Sequence, residues 1–137
     1  MIYAAAFAKQ FDAKLTLLHV IEPYPVVAET GYIGIHAVQE GRRQLEVLRL
    51  TIGDVVPVDA IVQTGPRNKE ILETARELAS DVIIISTHGY KGLSRVVLGS
   101  TAEYIVRHAP CPVLVVREKE REFVQMITEW ENTGPQI

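Results

Sequence analysis

Apolar positions along the chain switch repeatedly between a helical and an extended period. Within residues 2–12, Ala4, Phe7, Ala8 and Phe11 fall at i, i+3, i+4 and i+7, the stripe of an amphipathic helix. Leu15–Ile21 is apolar on nearly both faces, as a strand covered on both sides should be. After a loop with Pro23, Pro25, Gly31 and Gly34, Ile35, Val38, Leu45 and Leu48 mark a second helix. Val58 to Val62 reads as a strand ended by Thr64-Gly65. Pro66 suits the first helical position of a third helix, which carries Ile71, Leu72, Ala75, Leu78 and Ala79. A strand over Val82–Ser86, a loop of small residues, a helix over 99–109 and a strand over Val113–Val116 complete the alternation. Strands separated by helices require crossover connections. The fold class expected is therefore α/β, an open, mostly parallel sheet with helices on both faces.

The two ends depart from this pattern. An open α/β sheet ordinarily begins with a strand, whereas this chain begins in a helix pattern. At the other end, Phe123, Ile127 and Trp130 stand at i, i+4 and i+7 in a charged tail over 118–137, which reads as an extra amphipathic helix. The expected division is thus an α/β domain over 1–117 and a helical tail over 118–137.

Composition narrows the function. Against 17 acidic side chains there are 14 basic ones, net charge −3, so bulk charge attracts neither nucleic acid nor an anionic membrane. No apolar run is long enough to span a bilayer. The first residues lack the basic start of a secretory signal, and the single cysteine, Cys111, excludes an internal disulfide; a cytoplasmic setting is expected.

Chemistry concentrates in Ser86-Thr87-His88-Gly89, nine intervening residues, then Gly99-Ser100-Thr101. The loop leaves the carboxyl end of a buried strand and enters a helix N-terminus, where free N–H groups and the dipole favour an anion such as phosphate. Tight packing alone also accounts for a glycine pair there, and capping alone for Ser100 or Thr101. His88 suits either a phosphate contact or the strand end. No Gly-x-x-x-x-Gly-Lys-Ser/Thr and no Gly-x-Gly-x-x-Gly is present, and Gly92-Leu93-Ser94-Arg95-Val96 lacks the closing glycine of a nucleophile elbow. His19, His36 and His108 are scattered, so a protein-built metal site is not expected. Cys111, between two prolines, reads as a small core residue.

Several segments resemble the universal stress protein family. Leu17-Leu18-His19-Val20-Ile21 is similar to its second strand and Thr64-Gly65 to the turn after its third. Thr87-His88-Gly89-Tyr90-Lys91-Gly92-Leu93 through Leu98-Gly99-Ser100-Thr101-Ala102-Glu103-Tyr104-Ile105 resembles its signature, and Ala109–Val116 its last strand. The resemblance implies a five-stranded parallel sheet, a homodimer through the last strand and, in one branch, ATP at the carboxyl ends of the strands, with Mg or Mn as an optional companion. It implies phosphate contacts at Gly89, Gly99 and Ser100, an adenine contact at Val20 and a pocket wall at Ile85. Ser86 stands where that branch has its first glycine. The family's first strand and its terminal aspartate have no counterpart before Met1, so unpaired inner strand edges are expected. No positioned general base is evident, which leaves at most slow ATP hydrolysis. Two readings follow: an adenine-nucleotide-binding stress or regulatory protein, and a ligand-free dimerisation or partner-binding module of the same fold.

Overall fold

The computed structural model describes residues 2–22, 32–87 and 98–117. Their order is α1 (Ile2–Gln10), β1 (Leu15–Ile21), α2 (Tyr32–Ile52), β2 (Val58–Thr64), α3 (Arg67–Glu77), β3 (Ile83–Thr87), α4 (Ser100–His108) and β4 (Val113–Arg117). The expected C-terminal helix, with Phe123, Ile127 and Trp130, lies outside the described residues, as do Lys91 and Arg95.

Both strand pairs are parallel. β1 runs beside β2 from Leu15↔Val58 to Ile21↔Thr64, and β3 beside β4 from Ile83↔Val113 to Thr87↔Arg117. Among the described residues they form two separate two-stranded sheets. The Leu15 N–H donates to Pro57 O at 2.8 Å and the Gly65 N–H to Ile21 O at 3.0 Å, so the odd-numbered backbone groups of β1 face β2. With a strand period of two, Thr16, Leu18 and Val20 turn theirs to the other edge. In the same way Ile83 donates to Pro112 O at 2.9 Å, leaving the backbone of Ile84 and Ser86 on the edge away from β4. The inner edges expected to be unpaired are free of described partners. Ile83, Ile84 and Ile85 are only half-buried, although their composition suits a fully covered strand.

Side chains join what the backbone does not. α1 and the end of α2 share the odd face of β1, where Ala8, Ile52 and Val56 are buried against Ala5, Ala13 and Leu15. α2 lies on both β1 and β2, and a Cβ at Gly41 would stand 2.9 Å from His19 Cδ2. α3 packs on β1 and β2 apart from that cluster and abuts α4, which covers β3 and β4. Within each pair the carboxyl ends of the two strands lie together, and α3 connects β2 to β3.

Helix ends depart from the periodicity for local reasons. Pro66, expected inside α3, is its N-cap, with φ −61° and ψ 118°. α1 stops at Gln10 because Asp12 turns left-handed at φ 49° and Ala13 donates to Ala8 O at 2.8 Å. Phe11 is thereby carried off the buried stripe and is 64% exposed, though its ring still meets Phe7 at 4.6 Å between centroids. α3 ends alike: Ala79 has φ 46° and Ser80 donates to Ala75 O at 2.9 Å, a closure that leaves Leu78 exposed.

Candidate functional site

Most of the described candidates lie toward the carboxyl ends of β1 and β3 or at the start of α4. Val20 pairs with Gln63 one position before the end of β1; Ile85 and Ser86 pair with Val115 and Val116 in β3. Val20 and Ile85 are half-buried and Ser86 is exposed. Gly99 caps α4, and Ser100 and Thr101 open it. His88 and Gly89 lie outside the described residues, so the loop's first half is not part of this geometry.

The start of α4 carries the clearest chemistry. Gly99 is its N-cap, at φ −60° and ψ 149°, with no side-chain cap. Neither Ser100 nor Thr101 takes the capping position weighed for it, because the helix begins one residue earlier on backbone alone. The first helical bond runs from Glu103 N–H to Gly99 O at 2.9 Å, so the N–H groups of Ser100, Thr101 and Ala102 precede the ladder. They have no hydrogen-bond acceptor among the described residues. A Cβ built on Gly99 would meet nothing within 4 Å, and its backbone angles suit any residue. Nothing among the described residues demands glycine there. Three donors unclaimed among the described residues thus stand at the positive end of a helix, an arrangement that favours an anion.

A charged pair at the carboxyl end of β1 was not singled out by sequence reasoning. Glu22, just beyond β1, accepts from the Arg67 backbone N–H at 3.1 Å and from its guanidinium at 2.8 Å. α3 has no side-chain cap of its own, so a carboxylate 45 residues away in sequence fills its N-terminus. The available signal was an acidic residue directly after a strand and a basic one directly after Pro66. Gly65 between them in sequence has φ 156°, and a Cβ there would run into the Glu70 carboxylate.

Other polar groups stay dispersed. Glu40 is drawn to about 2 by hydrogen bonds from Arg43 and Gln44, yet all three are on the exposed surface of α2. An open groove of about 520 Å³ lies between α2 and β2, lined by Arg42, Leu45, Glu46, Ala60, Ile61 and Val62, and holds no arrangement of acid, base and donor. His108 faces Tyr104 O at 2.8 Å and closes α4, as positive charge at a helix end does. No group of three His, Cys, Asp or Glu side chains able to hold a metal occurs among the described residues. Burial, followed by the nearby Asp81 carboxylate, pushes the Cys111 thiol up. Iodoacetamide at neutral pH is therefore expected to label Cys111 at least about tenfold more slowly in the native protein than in denaturant, by mass spectrometry; equal rates would contradict its burial.

The profile of the universal stress protein family matches residues 2–117. A universal stress protein of Methanocaldococcus jannaschii is 32% identical over 126 residues, 88% of this chain and 74% of that protein. The solved structure of hypothetical protein MJ0577 is 27% identical, with a TM-score of 0.71 over 85% of this chain and 87% of its own. A universal stress protein family protein of Arabidopsis thaliana, solved with AMP bound, superposes with a TM-score of 0.58 at 22% identity, over 87% and 78% of the two chains. Among the described residues, no helix is long and apolar enough to cross a membrane.

Proposed function

The chain belongs to the universal stress protein family, and from that premise we propose that it is an adenine-nucleotide-binding regulatory protein. ATP is the proposed ligand, its phosphates beside Gly99 and on the amides of Ser100 and Thr101, and its base against Val20 and Ile85. Ser86, His88 and Gly89 complete the proposed contacts. The observation that carries this reading is the uncapped start of α4, where donors unclaimed among the described residues adjoin a glycine that packing among those residues does not require. The AMP found on the Arabidopsis relative agrees in ligand class. Mg or Mn belongs to the proposal only as a companion of the phosphates. Dimerisation through the outer edge of β4, which is unpaired among the described residues, and a cytoplasmic setting are part of the same reading.

Thermal unfolding tests it. Millimolar ATP with Mg or Mn is expected to raise the melting temperature by several degrees; saturation a hundredfold above Kd stabilises by about 2.7 kcal/mol. Gly99→Ala should leave the unliganded melting temperature almost unchanged, since its Cβ meets open space, and should cut the ATP-induced shift by half or more. Absence of a shift in the wild-type protein overturns nucleotide binding and favours the ligand-free dimerisation module. A full shift in Gly99→Ala moves the phosphates away from α4.

A further inference from the structure

The outer edge of β2 presents main-chain groups that have no partner among the described residues. Odd-numbered positions of this strand bond to β1, since Pro57 O accepts from Leu15 and the Gly65 N–H donates to Ile21 O. By the strand period, Val58, Ala60, Val62 and Thr64 turn their N–H and C=O groups outward. No third strand joins this sheet among the described residues. β2 pairs without a bulge and holds no proline, and Asp59, its one charge, is taken by Lys14. Little in the strand blunts the edge.

The groove beside it is lined by Arg42, Leu45 and Glu46 of α2 and by Ala60, Ile61 and Val62. α2 runs against β2: a Cβ on Gly53 would lie 3.7 Å from Val58 Cγ1, while the groove joins positions 42–46 to 60–62. From Gly53 to position 44 the helix rises about 14 Å, and from Val58 to Ile61 the strand rises about 10 Å. Position 44 therefore stands near the level of Ile61. Arg42 is exposed and makes no ion pair or hydrogen bond among the described residues, whereas Arg43 and Arg49 are paired with Glu40 and Glu46.

We infer that this edge receives a second copy of the chain, the two β2 strands running antiparallel about a two-fold axis at Ile61. In that register Ala60 stands opposite Val62 of the partner subunit and Val58 opposite Thr64 of the partner subunit, so outward groups meet outward groups. The same axis passes near position 44 of α2 and sets Arg42 against Glu46 of the partner subunit, twice by symmetry. Glu46, held by Arg49 at 2.6 Å, keeps lone pairs for this second cation. A two-fold contact must be self-complementary, and opposite charges equally spaced about the axis meet that condition. One register thus satisfies strand and helix together, which is the reason to place the chain itself here. The contact is separate from the β4 edge, and nucleotide binding plays no part in it.

Sedimentation velocity of the full chain at low salt, from micromolar to near-millimolar concentration, tests the contact. Arg42→Glu sets like charges against each other and should raise the dissociation constant at least about tenfold. Arg42→Glu combined with Glu46→Arg should restore it to within about threefold of wild type, although the Glu46–Arg49 pair is lost. Ala60→Pro removes an outward N–H that the β1 ladder does not use and should weaken association likewise. Arg42 and Glu46 are exposed, so the charge variants decide the matter even where the proline variant fails to fold. With β4 also pairing, the assembly exceeds a dimer and the variants remove one step of it. A wild type that stays monomeric, an Arg42→Glu variant that associates like wild type, or a double variant no better than Arg42→Glu each overturns the inference. Association that no variant moves belongs to another edge.

Discussion

Ile105→Ala is expected to lower the unfolding free energy by about 2–5 kcal/mol. Ile105 is the one large side chain fully removed from solvent among the described residues, with 0% exposure. It sits in mid-α4, the helix that covers β3 and β4 and abuts α3. Truncation removes the transfer free energy of three carbons and leaves a cavity that the neighbouring elements close only in part. Ten apolar residues are buried among the described residues, and Ile105 is the most enclosed of them. A fall in melting temperature on the order of 10 °C should accompany it, and Ile105→Val should cost about 0.5–1.5 kcal/mol. Chemical denaturation of the two variants measures both; an alanine variant within about 0.5 kcal/mol of wild type would remove Ile105 from the core.

Gly65→Ala should destabilise by about 2–4 kcal/mol, through two separable effects. Gly65 has φ 156°, where an L side chain is strained by about 1–3 kcal/mol. Its new Cβ would also stand 2.8 Å from Glu70 Cδ, closer than atoms pack. The residue cannot relax freely, because its N–H donates to Ile21 O at 3.0 Å and closes the β1–β2 ladder. The Glu70 carboxylate is the end of a flexible side chain and can swing aside; the backbone cannot. In the Gly65→Ala, Glu70→Ala double variant the steric part should vanish and the strain remain. Full recovery in that double variant would show that backbone conformation contributes nothing.

The elements were legible where apolar spacing is set by burial. Leu15–Ile21 and the third helix emerge almost as read, because covered strands and one-sided helices leave unambiguous periods. Periodicity misjudged side chains near helix ends. Phe11, Leu78 and Val106 fit a stripe on paper, yet they are exposed at 64%, 47% and 47%. The first two follow left-handed closures at Asp12 and Ala79, a conformation more often given to glycine and so unmarked in the sequence. α2 outruns the expected Ile35–Leu48 at both ends, and its last residue, Ile52, is buried in the cluster with Ala8 and Val56. At the site, Gly99 and Ser100 were legible as small residues ahead of a helix. Glu22 and Arg67 were not, since no local pattern connects residues so far apart in the chain.

The division into two strand pairs bears on how the molecule resists unfolding. A continuous sheet transmits order through directional main-chain bonds, so that its strands are lost together. Here, among the described residues, the halves are coupled through the contact of α3 with α4 rather than through a shared ladder. Side-chain packing is short-ranged and yields once surfaces separate by a fraction of an ångström. Among the described residues, cooperativity between the halves therefore depends on the fit of two helices, and a ligand that bridges β1 and α4 would act as a clasp across the seam.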